Sequence, residues 1–433
     1  MIDQQNTESS ANNPVFAEYE ARKKRLEDAI QLKKPDRVPI APLIAIFYPT
    51  RIKGISNKDN MFNQAETFKA WIEAAVQHNW DTALPPMGFQ PVKLWELLQI
   101  TQMKWPGGQL EDNTPFQWVE GEYAAREEYD EMLSNPNSFA VKKFWPRIAK
   151  ALTPISDMIQ MEPPPPMLYF SSAYSLPTFL GEMTSLPEIR QVLKTLLAVA
   201  DEYAAFKEGL ASYVTDAKNQ GFPLVFGPQT ITAIDWVADV FRGLRGSMLD
   251  MYRAPDKLKA LVDEFIPYTI AAPMLMDTPF ECKRVFIPMH WGAAGFMSDK
   301  QFAEFYWPSF KALIIGLVDA GYTPVPLFEG DYTPRLKYLA ELPAGKVAGH
   351  FDHIDRKKAK EMIGDTMCFW GNVPSTLLCT GTPQQVEDDV KELIDIFGDN
   401  GGLIIDCNMG IPDEAKPENV QAMTDAVMKY GIY

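Results

Sequence analysis

The chain has 433 residues, 46% hydrophobic and 23% charged, enough apolar material for one large core with insertions or for two ordinary domains. A formal net charge of −16 and a pI near 4.8 argue against a nucleic-acid-binding protein. No run of about 18 apolar residues occurs, so no membrane span is expected, and the polar opening MIDQQNTESSANNP lacks the layout of a signal peptide.

Residues 1–14 read as a frayed tail, and residues 15–433 as a single domain. Residues 15–32 form a charged amphipathic helix, stopped by Lys34-Pro35-Asp36-Arg37. An apolar strand follows at 38–47 and a second helix at 62–79. Residues 81–88 (DTALPPMG) suit only an edge or a strand end, because proline cannot donate to a ladder. Residues 98–166 are irregular and close on four prolines; they read as an insertion, either a lid over the site or a purely structural excursion. Residues 167–172 (MLYFSS) are a strand candidate, and 187–220 a long helix. The strand at 223–230 (PLVFGPQT) precedes a helix opened by Pro255.

The rest alternates regularly. Strands at 284–290, 323–330, 346–352, 367–373 and 403–408 are separated by helices, which predicts parallel βαβ units. Nine strand candidates compete for the eight places of a barrel, and 81–88 or 367–373 is expected to be the irregular one. The four cysteines, Cys282, Cys368, Cys379 and Cys407, form no CxxC pair, so a reducing, cytoplasmic setting is expected.

In parallel barrels the chemistry collects at the C-terminal strand ends. Those ends carry His290, Glu329, His350, Asp352, Asp406, Cys407 and Met409. His78 sits in a helix of mostly solvated pattern and is set aside. A carboxylate such as Glu329 at the end of an apolar strand needs a partner or a cavity, because burying it alone is too costly. His350 and Asp352, two apart on a strand, share a face, and His353 takes the other. Each has a plainer alternative: a rim histidine bonded to a carbonyl for His290, a helix cap for Asp352, and a buried thiol for Cys407. Arg335 at a helix start either meets an anionic substrate or forms an ion pair, and Arg37 and Arg51 offer the same choice.

Gly371-Asn372-Val373-Pro374, Leu377-Leu378, Gly381-Thr382-Pro383, Asn408-Met409-Gly410-Ile411-Pro412 and Pro417-Glu418-Asn419-Val420 occur in that order. In this the chain resembles the uroporphyrinogen decarboxylase superfamily, as it does in KPDRVP before its first strand and in Gly227-Pro228-Gln229-Thr230. The resemblance implies an α/β fold, a (β/α)8 TIM-type barrel with an N-terminal helical extension and an insertion near 98–166. It also implies either a decarboxylase or a cobalamin-dependent methyltransferase. The family's decarboxylases grip their substrate with an arginine-rich loop after the first strand. Here that stretch is Phe47-Tyr48-Pro49-Thr50-Arg51, aromatic and without paired arginines. The zinc motif of the thiol-methylating branch falls on Leu327-Phe328-Glu329 and is not reproduced.

The expectation is therefore the O-demethylase-like branch: transfer of a methyl group from a small methylated substrate, such as an aryl methyl ether, to cob(I)alamin on a corrinoid protein in anaerobic metabolism. The runner-up is a carboxy-lyase acting on a different carboxylated substrate. Glu329, Asp352 and His290 are the expected catalytic residues. Tyr48, Trp291, Phe328, His350, Met409 and Arg335 are expected to bind substrate. His290, Glu329 and Cys407 are a candidate zinc set. A homodimer is compatible with this reading.

Overall fold

The computed structural model describes residues 14–43, 46–83, 91–160, 167, 169–275 and 281–433. The expected tail falls almost wholly outside these, apart from Pro14, which opens the first helix, α1 (Pro14–Ile30).

The chain divides into two compact units. The first comprises residues 1–89, 209–236 and 262–433. Its centre is a five-stranded parallel sheet of β1 (Arg284–Met289), β2 (Thr323–Asp331), β3 (Ala348–His353), β4 (Cys368–Trp370) and β5 (Leu403–Ile404), neighbours in that order. Single parallel bridges carry the ladder onward: Ile405 to Ile40, Ala83 to Leu224, and Gln229 back to Phe286 of β1. The Asp81 N–H donates to the Ile40 carbonyl at 2.8 Å and links the first two of these segments. Eight staves among the described residues thus close into a parallel (β/α)8 barrel.

The staves are 38–43, 81–83, 223–230 and β1 to β5. The surplus candidate is residues 167–172, neither of the two suspected: the described residues there form turns and bends. The apolar letters of MLYFSS fitted a strand, but a short apolar run does not distinguish one from a turn. The remainder of 81–88, from residue 84, lies outside the described residues.

The inner face of the barrel follows the two-residue period of its strands. Ala41, Leu43, Phe286, Val325, Leu327, Ala348, Cys368, Trp370 and Ile404 form one buried cluster, joined by Leu26, Ala29 and Ile30 of α1. The outer face carries a ladder of rings. Phe328, Phe351 and Phe369 follow one another at 4.8 and 5.1 Å, and Phe397 of the helix Pro383–Phe397 caps them at 4.0 Å.

KPDRVP has a structural task. Asp81, wholly buried, accepts from Arg25 of α1 at 2.5 Å, from Arg37 at 2.7 and 2.8 Å, and from the Ile40 N–H at 2.8 Å. Two guanidiniums compensate this buried carboxylate, so Arg37 serves the stave ends rather than a substrate.

The second unit comprises residues 90–208 and 237–261. It contains the expected insertion at 98–166 and extends beyond it. Its described residues are mainly helical, with one short antiparallel pair, Met103–Lys104 with Gln117–Trp118. Arg242 Nε donates to Asp250 at 2.7 Å, and the Tyr129 hydroxyl donates to the same carboxylate at 2.9 Å. Arg147 grips Glu128 through both nitrogens at 2.7 and 2.8 Å. That hydrogen bonding holds the Glu128 carboxyl down to about 2.

Candidate active site

The C-terminal rim of the barrel brings His290, Glu329 and Asp352 to neighbouring stave ends. His290 follows β1, Glu329 lies near the end of β2, and Asp352 near the end of β3. His290 Nε2 lies 3.6 Å from Glu329 Oε1, and each side chain is about one-third exposed. The two groups form a partly exposed histidine–carboxylate pair of a kind that general acid–base chemistry can use.

The backbone around Glu329 is built for it. The register of β2 against β3 shifts between Phe328 and Asp331, and Gly330 takes φ +81°. Glycine adopts that conformation freely. The turned Gly330 N–H donates to Asp352 Oδ2 at 3.0 Å, and Asn408 Nδ2 donates to Asp352 Oδ1 at 2.7 Å. Each Asp352 oxygen thus already accepts a hydrogen bond from the protein. Asp352 was expected to act on substrate; its geometry is that of a residue positioning the Glu329–Gly330 bulge.

The backbone of His290 is held by a residue that the sequence reading passed over. Asp235, fully buried, accepts from the His290 N–H at 3.3 Å, the Trp291 N–H at 3.2 Å and the Tyr306 hydroxyl. Tyr332 packs beside them, and a side chain at Gly292 would strike its hydroxyl. Burial, with Asp235 adding to it, pushes both phenols well above their ordinary value, so Tyr306 and Tyr332 stay neutral and Tyr306 remains a donor to Asp235. The available signal was a carboxylate inside the apolar run Ile234-Asp235-Trp236-Val237.

Deeper in the barrel, His350 and Asp406 are both buried, with His350 Nε2 3.1 Å from Asp406 Oδ2. Asp406 also accepts from the Leu43 N–H at 2.6 Å and the Cys407 N–H at 2.7 Å, which ties two staves together. His350 was expected to touch substrate; with 1% exposure it lies below the rim and serves this internal pair.

Three other expected ligand contacts are also committed elsewhere. Phe328 alternates with Glu329, so it points outward into the ring ladder. Tyr48 is buried, its hydroxyl 3.0 Å from His78 Nε2. His78 is itself buried rather than solvated, its other nitrogen 3.2 Å from Gln421 Oε1, and burial lowers its pKa. Arg335, 1% exposed, donates to the carbonyls of Gly292 and Met297 and pairs with Asp299 at 3.3 Å. It stitches the loop after β1. Trp291 and Met409 remain partly exposed at stave ends, Met409 at 38%.

The zinc set does not fit. Cys407 is fully buried, and alternation turns it away from the face that carries Asp406. Burial and the neighbouring Asp406 push its thiol well above the ordinary value. Among the described residues no three His, Cys, Asp or Glu side chains gather as metal ligands. Nor is any helix among them long and apolar enough to cross a membrane.

Comparison with known proteins agrees with the barrel. Residues 225–430 match the family model of uroporphyrinogen decarboxylase. The uroporphyrinogen decarboxylase of Chlorobaculum tepidum is 27% identical over 182 residues, 41% of this chain and 50% of that protein. That of Alcanivorax borkumensis is 22% identical over 284 residues, 60% of this chain and 78% of that protein. Several of these curated relatives are thus matched over only about half of their length. A solved methyltransferase from Methanosarcina mazei superposes with a TM-score of 0.61 at 15% identity, covering 94% of this chain and 98% of its own, a likeness of fold. Residues 225–430 thus resemble the uroporphyrinogen decarboxylase family in sequence, and the barrel that contains them agrees with that likeness.

Proposed function

We propose that the chain is a methyltransferase that moves a methyl group from a small, neutral methylated compound, an aryl methyl ether, to cob(I)alamin carried by a corrinoid protein. The observation that carries this reading is the His290–Glu329 pair at 3.6 Å on an open rim. An ether methyl is a poor electrophile because its leaving group is an alkoxide or phenoxide. As the methyl departs, the C–O electron pair stays on oxygen, and a proton from the His290–Glu329 pair neutralises it. The reduced corrinoid supplies the nucleophile. Asp235 and Asp352 hold the backbones of His290 and Glu329 so that the proton is delivered at short range.

The solved methyltransferase that shares the fold supports this reading. The names of the sequence relatives favour a second one, a carboxy-lyase. The rim charge opposes it: the proton-carrying His290–Glu329 pair is neutral as a whole, Asp352 adds a carboxylate beside it, and Arg335 is already spent on internal acceptors. An anionic substrate meets repulsion there. The test is a screen of methoxylated and carboxylated arenes against purified protein, with and without a reduced corrinoid protein. Cobalt methylation supports the proposal. Release of carbon dioxide without corrinoid overturns it in favour of the second reading.

A further inference from the structure

A cavity of about 470 Å³ opens between the end of the 223–230 stave, β1 and the helix Pro255–Leu275. Its walls include Trp236, Phe265, Tyr268 and Pro288, and its polar edge Gln229 and Thr230. Among the described residues that line it, none carries a charge. The size lies within the usual range for small-molecule sites. The Thr230 hydroxyl is already occupied, donating to the Thr269 carbonyl at 2.6 Å. Gln229 is exposed. A polar ligand atom is thus offered one amide and no counter-charge.

This cavity is tied to the acid–base pair through β1. Pro288 lines it, and His290 is two residues further along the same stave. Both are partly exposed, while Ile287 and Met289 between and before them are buried on the other face. Residues two apart on a strand share a face and lie about 7 Å apart. Trp236 directly follows Asp235, which holds the His290 backbone. The aromatic wall and the histidine–carboxylate pair are thus linked through one stave, at Pro288 and His290, two residues apart.

We infer that this cavity holds the aromatic ring of the methyl donor, a neutral arene stacked on Trp236 and Tyr268, with its ether oxygen directed toward His290 and Glu329. The inference rests on the methyl-transfer reading for the role of the ligand, but not for its binding. Uncharged aromatic walls favour a flat neutral ring over a carboxylated arene or an aliphatic ammonium. Gln229 selects among ring substituents by hydrogen bonding to one of them.

The test is calorimetric titration of the full chain with 1,2-dimethoxybenzene, benzoate and trimethylammonium, without corrinoid. Tyr268→Ala and Trp236→Ala are the variants. Tyr268 is 60% exposed on its helix, so its removal leaves the fold intact even where the Trp236 variant does not. The expected result is binding of dimethoxybenzene at least tenfold tighter than benzoate or trimethylammonium, weakened about tenfold by Tyr268→Ala. No binding, equal binding of benzoate, or unchanged affinity in a folded Tyr268→Ala protein overturns the assignment. If the ring binds as expected but its methyl never reaches a corrinoid, the cavity stands and the methyl-transfer reading falls. If methyl transfer proceeds unaltered in Tyr268→Ala, the reverse holds.

Discussion

Glu329 Oε1 lies 3.6 Å from His290 Nε2 across two hydrogen-bonded parallel staves, and each residue is held there by a different buried or bound carboxylate. Replacing Glu329 by Gln keeps the shape and removes the ionisable proton. Turnover of the true substrate should fall by at least about 100-fold, with the far-UV circular dichroism spectrum unchanged. A folded Glu329→Gln protein with near-normal turnover would take Glu329 out of the mechanism.

Asp235 should behave as a positioning residue. Asp235→Asn replaces one acceptor oxygen by a donor facing the His290 or Trp291 N–H, so the variant should lose about 1–3 kcal/mol of stability in urea titration. Because His290 loses its anchor, kcat should fall more than KM rises, and the pH profile of kcat should shift. A loss of stability with an unchanged pH profile would reduce Asp235 to a purely structural group.

The outward ladder gives the opposite prediction. Phe328 stacks on Phe351 and touches Tyr332 behind the sheet, so Phe328→Ala should cost about 3–5 kcal/mol. The protein that remains folded at low temperature should keep its KM within about twofold. A large rise in KM with little loss of stability would return Phe328 to the substrate site.

In the second unit, Glu128 supplies a pH-dependent term. Its folded carboxyl sits near 2, below the ordinary 4.5, because Arg147 hydrogen-bonds the ionised form. The stabilisation is therefore complete above about pH 4.5 and disappears as pH falls toward 2. The stability gap between wild type and Glu128→Gln should be full at pH 6 and close between pH 4 and 2. A gap independent of pH would mean that Arg147 gains nothing from the charge.

Much of the barrel was legible because strand and helix periods alternate so regularly after residue 284, and the rim position of His290, Glu329 and Asp352 followed from that alternation. The inner ligand face was less legible. Phe328 and Glu329 are neighbours, so the two-residue period alone forbids both from facing one cavity, and that rule separates them without a structure. Tyr48, His78 and Arg335 are different. Their partners, Gln421 for His78 and Met297 for Arg335, lie on other elements, and helix pattern cannot show what a long side chain reaches. Asp235 is hard to read for the same reason: three of its partners come from two separate segments, 290–291 and 306. Asp81 is the clearest case of a residue whose meaning is tertiary, since Arg25 and Arg37 approach it from a helix and from a stave start.

The most direct measurement is a single-turnover reaction of the full chain with 1,2-dimethoxybenzene carrying a labelled methyl group and a stoichiometric reduced corrinoid protein. The account predicts label on the cobalt, release of the mono-phenol in equal amount, and no label transfer when the corrinoid is omitted. Consumption of substrate without corrinoid, or label recovered anywhere but on the cobalt, would contradict it.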